Sequence, residues 1–318
     1  MRLAGGDRIP GFGALGAPLL AMTPFVVATV PVPVVAALLL RRWTAAAAAG
    51  VVAVTSLVTV VPRTIGEDQP AARGPAVRVL SANLYFGEAD AAALADLVQR
   101  SRADVLSLQE LPQEAVQRYE RAGLSRLLPH KVVDARPGAA GSGLYSRYPL
   151  RELPSPGGMR MATPQAELTL PGGRRVQVTA VHPVPPISSA AYAAWQHDIA
   201  ALPAARAAEG TGAGGTAAGG AAPGQGGGAG ARPIRILAGD FNATLDHATL
   251  RHLIGRGYAD AADRTGAGLT PTWGTSGSGP PLTLDHVLVD RRCAVGEFEV
   301  HDLQGTDHRA VFAEVRLP

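Results

Sequence analysis

Ile9 to Leu40 runs without a charged side chain, and after Arg41 and Arg42 the stretch from Trp43 to Pro62 does the same. A helix of about 20 apolar residues crosses the hydrocarbon core of a bilayer, and the second stretch has that length. The first is longer and carries Pro10, Pro18, Pro24, Pro31 and Pro33, which lipid-embedded helices tolerate better than soluble ones. The pattern predicts two spans, roughly 12–40 and 44–62, joined by a tight Arg-Arg turn. A cleaved signal peptide would be shorter and would lack the second apolar run. Residues 1–62 are therefore expected to anchor the chain in a lipid bilayer. Arg41 and Arg42 lie close to both spans and are expected on the inner side, which puts the rest of the chain outside. Arg2, Arg8, Arg63, Arg73 and Arg78 count the other way. The expected location is the cell membrane, with an extracytoplasmic domain.

Pro62, Gly66, Pro70, Gly74 and Pro75 mark residues 63–76 as a linker, and a soluble domain is expected over 77–318. Val77 to Asn83 alternates like a strand that ends polar. Ala89 to Ser101 has Leu94, Leu97 and Val98 at helical spacing, Asp104 to Leu108 reads as a buried strand, and Gln113 to Ala122 as a helix. Gly143 to Ser146 is a short strand, and residues 166–170 and 175–181 form a hairpin around Pro171-Gly172-Gly173. Ser188 to Leu202 reads as a helix. Ile234 to Ala238, Leu284 to Val289 and Ala310 to Val315 are further strands, so the domain is a mixed α/β unit. Gly210 to Gly230 is almost wholly Gly and Ala and buries too little surface to offset the entropy of ordering. The segment at about 207–231 is expected to be a flexible insertion within one domain.

Charge says little about partners. The net formal charge is +3, with 29 basic against 26 acidic residues, a surplus too small to argue for nucleic-acid binding by itself. Cys293 is the only cysteine, so no internal disulfide forms, and it reads as a structural thiol. No His/Cys grouping has zinc spacing, and no Gly-rich loop leads into a helix as a nucleotide-binding loop would. No obligate protein partner is evident.

Five polar clusters stand at or just after predicted strand ends: Asn83; Gln109-Glu110; His182; Gly239-Asp240-Phe241-Asn242; and Asp285 with Thr306-Asp307-His308. Strand-end loops are where α/β folds put their sites. Carboxylates and an amide suit a hard cation such as Mg²⁺, and two histidines can hold or move protons at a phosphate. Taken alone, Asn83 is better explained as a turn cap and Glu110 equally well as an exposed loop carboxylate; the apolar strand before Asp240 and Asn242, and the strand after Asp307-His308, favour a site. Alternation turns His286 away from Asp285, so it is expected to be structural. His197, His247, His252, His301 and Asp246 carry no matching role, and Trp273 is expected to pack.

Ser81-Ala82-Asn83, Leu108-Gln109-Glu110, Gly239-Asp240-Phe241-Asn242, Leu284 to Leu288 and Thr306 to Ala310 resemble, in order, the motifs of the endonuclease/exonuclease/phosphatase family, and Gly143 to Pro149 resembles a further segment. The resemblance covers 77–318 apart from the Gly/Ala insertion. It implies a four-layer α/β sandwich of two mixed β-sheets with helices outside, and Mg²⁺-dependent hydrolysis of a phosphate ester or phosphodiester, Mn²⁺ being a possible substitute. The substrate would be nucleic acid or a phospholipid-type head group. The resemblance also implies roles. Glu110 is the principal metal ligand, with Asn83 and Asp307 close to the metal. Asp240 orients or deprotonates the attacking water, and Asn242 hydrogen-bonds a phosphate oxygen. His308 contacts the phosphate and is oriented by Asp285; His182 stabilises the phosphate or helps the leaving group. Tyr85 stands where some members carry an acidic residue, which bears on a second metal. Arg147, Arg160 and Arg309 are the cations nearest the motifs in sequence. The alternative is a membrane-tethered module of the same fold that binds phosphorylated lipid or nucleic acid without catalysis.

Overall fold

The computed structural model describes residues 13–205, 232–275, 277 and 279–318; the Gly/Ala insertion lies outside the described residues. The chain begins with four apolar helices, α1 (Gly13–Ala21), α2 (Thr23–Thr29), α3 (Pro31–Leu39) and α4 (Trp43–Val60). The first apolar stretch, expected as one span, is thus divided. The breaks fall at Met22 and Val30, one or two residues ahead of Pro24 and Pro31, where proline removes a backbone donor and disfavours a helical residue before it. Arg41 takes a left-handed conformation, φ 54°, which makes the Arg-Arg turn tight enough for α3 to pack back along α4. Among the described residues one helix is long and apolar enough to cross a membrane, the 22 residues Trp43–Thr64.

Twelve strands follow: β1 (Ala76–Asn83), β2 (Val105–Gln109), β3 (His130–Asp134), β4 (Ser142–Ser146), β5 (Leu150–Leu153), β6 (Gln165–Thr169), β7 (Arg175–Val181), β8 (Ile234–Asp240), β9 (Tyr258–Asp260), β10 (Asp285–Asp290), β11 (Ala294–Asp302) and β12 (Arg309–Arg316). They form two six-stranded mixed sheets, ordered β11-β12-β1-β2-β4-β3 and β5-β6-β7-β8-β10-β9. Each sheet has one parallel pair, β1 with β2 and β7 with β8. Helices α5 (Ala91–Arg100), α6 (Gln113–Arg121) and α7 (Leu124–Leu127) cover the first sheet, and α8 (Ser189–Ala201) and α9 (Ala248–Gly255) the second. A short α10 (Ala261–Thr265) packs beside β9 to β11. The domain is the expected four-layer α/β sandwich.

Side-chain alternation builds the layers. Val77 and Val79 of β1, Val178 and Ala180 of β7, and Ile236 and Ala238 of β8 meet between the sheets. Leu80 and Ala82 of β1 face α5 and α6, with Leu94, Leu97 and Tyr119; Leu237 and Leu288 face α8 and α9, with Trp195, Leu250 and Leu253. Each fully buried aliphatic side chain contributes about 1.5–3 kcal/mol. The helices start where their caps permit: Asp90 accepts from Ala93 N at 2.8 Å, and Ser188 from Ala191 N at 3.2 Å. Gly239 is required by close approach, since a Cβ there would lie 1.9 Å from the Val181 carbonyl oxygen on β7. Cys293 is fully buried, and that burial pushes its thiol up to about 12, so it is unreactive.

The stretch expected as a linker is held against the domain along its length. Glu67 N donates to Arg264 O and Gly74 N to Leu317 O, while Gln69 exchanges two hydrogen bonds with the Val295 backbone. At its head Arg63 forms a bidentate pair with Asp246, at 2.8 and 2.6 Å, with the two residues only 3% and 8% exposed. Breaking such a pair strands a buried charge and costs about 3–5 kcal/mol, whereas replacing both partners by apolar groups costs far less. The expected outcome is that Asp246→Ala lowers the thermal unfolding midpoint of the detergent-solubilised protein clearly more than Arg63→Met combined with Asp246→Leu. Equal losses in the two proteins would show that the stranded charge is not the cause.

Candidate active site

The alternation that fills the space between the sheets with Val77, Val79, Ile236 and Ala238 carries on to the strand ends. There the same parity turns Asn83, at the end of β1, and Asp240, at the end of β8, inward. His182 follows β7 with the parity of Val178 and Ala180, and Asp285 opens β10 with that of Val287. Asp285 and Asp240 face each other across the β8–β10 pair. Glu110 and His308 stand one residue beyond β2 and before β12. All six are buried.

Asn83 is the bridge. Its Nδ2 donates to Glu110 Oε1 and to Asp240 Oδ2, both at 3.1 Å, and its Oδ1 accepts from Tyr85 N. As oriented it presents nitrogen to the two carboxylates and spaces them. Glu110 Oε2 accepts from Phe86 N at 2.8 Å. Glu110 and Asn242 both adopt left-handed backbone, φ 54° and 48°, a conformation that costs a non-glycine residue about 1–2 kcal/mol. Asn242 N donates to Asp240 Oδ1 at 2.8 Å and its Nδ2 to Pro183 O at 3.1 Å. Asp240 is thereby fixed through both oxygens.

Two imidazoles flank that carboxylate. Nε2 of His182 and Nε2 of His308 each lie 3.7 Å from Asp240 Oδ2, and His182 Nε2 is also 3.8 Å from Glu110 Oε1. These separations exceed a hydrogen bond. His308 Nδ1 is 2.9 Å from Asp285 Oδ2, which fixes the ring. Burial works against a charged His308, but the Asp285 and Asp240 carboxylates outweigh it and raise its pKa to about 10. Burial raises the Asp285 carboxyl, and the adjoining His308 opposes that rise.

Glu110, His182, Asp240, Asn242, Asp307 and His308 all line one cavity of about 610 Å³, whose remaining wall is mostly apolar. Its donors are suited to a hard cation: carboxylate oxygens of Glu110, and Asp307 Oδ1, which is buried without a hydrogen-bond partner. Asp240, Asp285 and His308 also bring ligand-type atoms within 4.8 Å of one another. There, however, Asp285 Oδ2 is engaged by His308 Nδ1 at 2.9 Å and Asp240 is bonded through both oxygens. We therefore read that trio as an orienting chain rather than a metal centre.

The sequence underrated several residues. Trp273, expected only to pack, donates from Nε1 to Asp307 Oδ2 at 2.8 Å and pairs by backbone with His308. Thr272 Oγ1 accepts from Leu284 N and Asp285 N, and Thr306 Oγ1 donates to Asn83 O while accepting from His308 N. Such threonines are visible only once strand ends are paired. Arg147 and Arg309 turn away to Asp104 and Asp302.

His286 points to the helix side, as alternation predicts. Nδ1 lies 2.7 Å from Asp260 Oδ2 and Nε2 2.8 Å from Ala243 O. Both nitrogens face acceptors, so the ring is a double donor that holds the loop after Asn242. Burial lowers its pKa, but Asp260 outweighs that and the net shift is upward. A folded value above the roughly 6.5 of an unfolded imidazole means the pair's stabilisation is complete below that pH. It is lost as pH rises through the raised value. The stability lost in His286→Phe should therefore be larger at pH 6 than at pH 10 in parallel denaturant titrations; a pH-independent loss would show that the ring is not charged in the folded protein.

Comparison with known proteins agrees with this geometry. A model of the family described as Endonuclease/Exonuclease/phosphatase matches residues 80–308. Among solved structures, an endonuclease/exonuclease/phosphatase from Beutenbergia cavernae superposes with TM-score 0.57 at 17% identity, over 77% of this chain and 72% of that one. One from Bacteroides vulgatus gives 0.52 at 13% identity, over 77% and 100%. D. rerio TDP2 complexed with single strand DNA product gives 0.50 at 16% identity, over 76% and 98%. No curated protein sequence matches the chain.

Proposed function

The chain belongs to the endonuclease/exonuclease/phosphatase family, and from that premise we propose that it hydrolyses a phosphodiester or phosphate ester at the cavity between its sheets. The observation that carries the reading is the arrangement about Asp240: one carboxylate, fixed through both oxygens, with the Nε2 atoms of two imidazoles each 3.7 Å from its Oδ2. Neither Nε2 is hydrogen-bonded to Asp240 at that separation, so each ring can turn that atom to a substrate in the cavity. The D. rerio relative, which holds a DNA product, supports phosphodiester chemistry.

Asp240 orients the water and takes its proton as the water oxygen forms the new bond to phosphorus. The bond to the leaving oxygen breaks on the opposite side, and His182, whose Nδ1 is buried without a partner, stabilises or protonates that oxygen. His308, with its ring fixed by Asp285, neutralises charge that grows on the phosphoryl oxygens. Asn242 donates to one of those oxygens. Glu110 and Asp307 would hold a divalent cation, Mg²⁺ or in its stead Mn²⁺, with Asn83 spacing the acids. When bound, it supplies Lewis-acid stabilisation of the phosphate. We place the protein at the cell membrane through Trp43–Thr64, with the Arg41-Arg42 turn inside and the domain outside.

Hydrolysis by the full-length protein is expected with Mg²⁺ and to disappear in chelator. Asp240→Asn and His308→Ala should lower turnover about a hundredfold or more. Asp285→Asn should do less harm, and its combination with His308→Ala should be little worse than His308→Ala alone, because the two act as a unit. Glu110→Gln should recover partly at high Mg²⁺. Wild-type turnover by Asp240→Asn on a substrate the protein cleaves would refute the assignment.

A further inference from the structure

Helix α1 has 9 residues, about 14 Å of helix, roughly half of what a bilayer core requires. Its apolar character needs another explanation, and its position supplies one. Ala17 is buried in the cluster of Tyr192, Trp195 and Phe241, under the second sheet's helices. His247 accepts from Thr244 N at Nδ1, which leaves Nε2–H to donate to Ala17 O at 3.0 Å. Arg63 locks onto Asp246, the neighbouring residue. Asp246 and His247 follow the Asp240–Asn242 loop directly, so α1 is pinned to the same segment that carries the catalytic carboxylate.

The result is a cavity with two chemistries. Its lining includes the buried His182, Asp240 and His308, and with them the apolar Leu19 of α1, Met22 just after it, Phe86, Pro186, Ile187 and Leu282. Leu19 is 61% and Ile187 78% exposed, and among the described residues that line the cavity none is arginine or lysine. Nucleic-acid strands are held by cationic grooves, and the described lining of this cavity does not form one. An apolar wall continuous with a phosphate site matches a molecule that has both parts.

We propose that helix α1 is a wall of the active site and that the channel it closes takes the hydrocarbon tail of an amphiphilic phosphodiester whose phosphate lies between His182 and His308. This rests on the phosphodiesterase reading above and narrows it to a lipid-type substrate. Leu19 and Ile187 then determine specificity for the tail, and the N-terminal segment serves the site as well as the bilayer.

The test uses full-length protein in one detergent with hexyl-, octyl- and decylphosphocholine, each a phosphodiester with a single tail. Affinity is measured by calorimetry on Asp240→Asn protein, and hydrolysis on wild type with Mg²⁺. Affinity referred to the free monomer, after correction for micellar partition, should tighten about fourfold per added methylene, the ratio that corresponds to burying one CH₂. Leu19→Asp and Ile187→Asp should each flatten that dependence. Both side chains are exposed, partition into detergent is common to all the proteins, and Ile187 lies outside the N-terminal helices. Chain-length dependence that persists unchanged in both variants would overturn the channel, as would preferential hydrolysis of an octathymidylate. Tail-dependent binding that the variants abolish, with no hydrolysis of any diester in Mg²⁺ or Mn²⁺, would uphold the channel and refute the hydrolase reading.

Discussion

Successive side chains of a strand point to opposite faces of its sheet, and the chemistry of this protein depends on that alternation. Between the sheets the inward parity is occupied by valine, isoleucine, leucine and alanine; at the open end of the sandwich the same parity delivers Asn83, His182, Asp240 and Asp285. The packing that stabilises the domain is therefore the device that aims the site. Ser107 makes the link explicit: on the inward face of β2, its hydroxyl donates to Ala238 O of β8 at 2.8 Å and ties one sheet to the other beneath the acids. A one-residue slip in any of these strands would turn its polar end to the helix side.

Burying Glu110, Asp240 and Asp285 together is costly unless each finds donors. The protein supplies them from the backbone as much as from side chains. Phe86 N and Asn242 N serve Glu110 and Asp240, and the loops that present these N–H groups do so in strained form. Tyr85, Phe86, Glu110 and Asn242 all have positive φ. Residues in such conformations persist only where their surroundings over-determine them. Here they are over-determined by the bonds Asn83 makes to Tyr85, Glu110 and Asp240. One amide thus spaces the acids and stabilises the turn that feeds one of them a donor.

Much of this was legible in the sequence. The strands that carry the site are short apolar runs ending in a polar residue, and a period-2 pattern reports both the strand and the direction of its last side chain. Strand β11 was missed although Val295, Phe298 and Val300 stand among glutamates and a histidine; Gly296 sits at the irregularity between Val295 and Glu297 and breaks the alternation. Strand β3 and helix α9 were missed because they are short and draw their stability from neighbours rather than from local preference. The roles of Thr272, Trp273 and Thr306 depend on pairing between distant segments, which a linear pattern does not contain.

The division of the chain into anchor, linker and domain followed the charges, and the charges mislead at one point. Arg63 looks like the end of a membrane segment, a basic residue at a polar boundary. It is instead among the most buried charges in the protein, and its partner Asp246 was passed over because no catalytic motif includes it. Pairing these two residues, with His247 on Ala17, converts an apolar tail into part of the domain. The prolines at the breaks divide Gly13–Ala21, Thr23–Thr29 and Pro31–Leu39 into separate helices, and α1 packs on the domain beside the cavity. The breaks leave Trp43–Thr64 as the one described helix long and apolar enough to cross a membrane, and they free α1 to bury Ala17 against the domain.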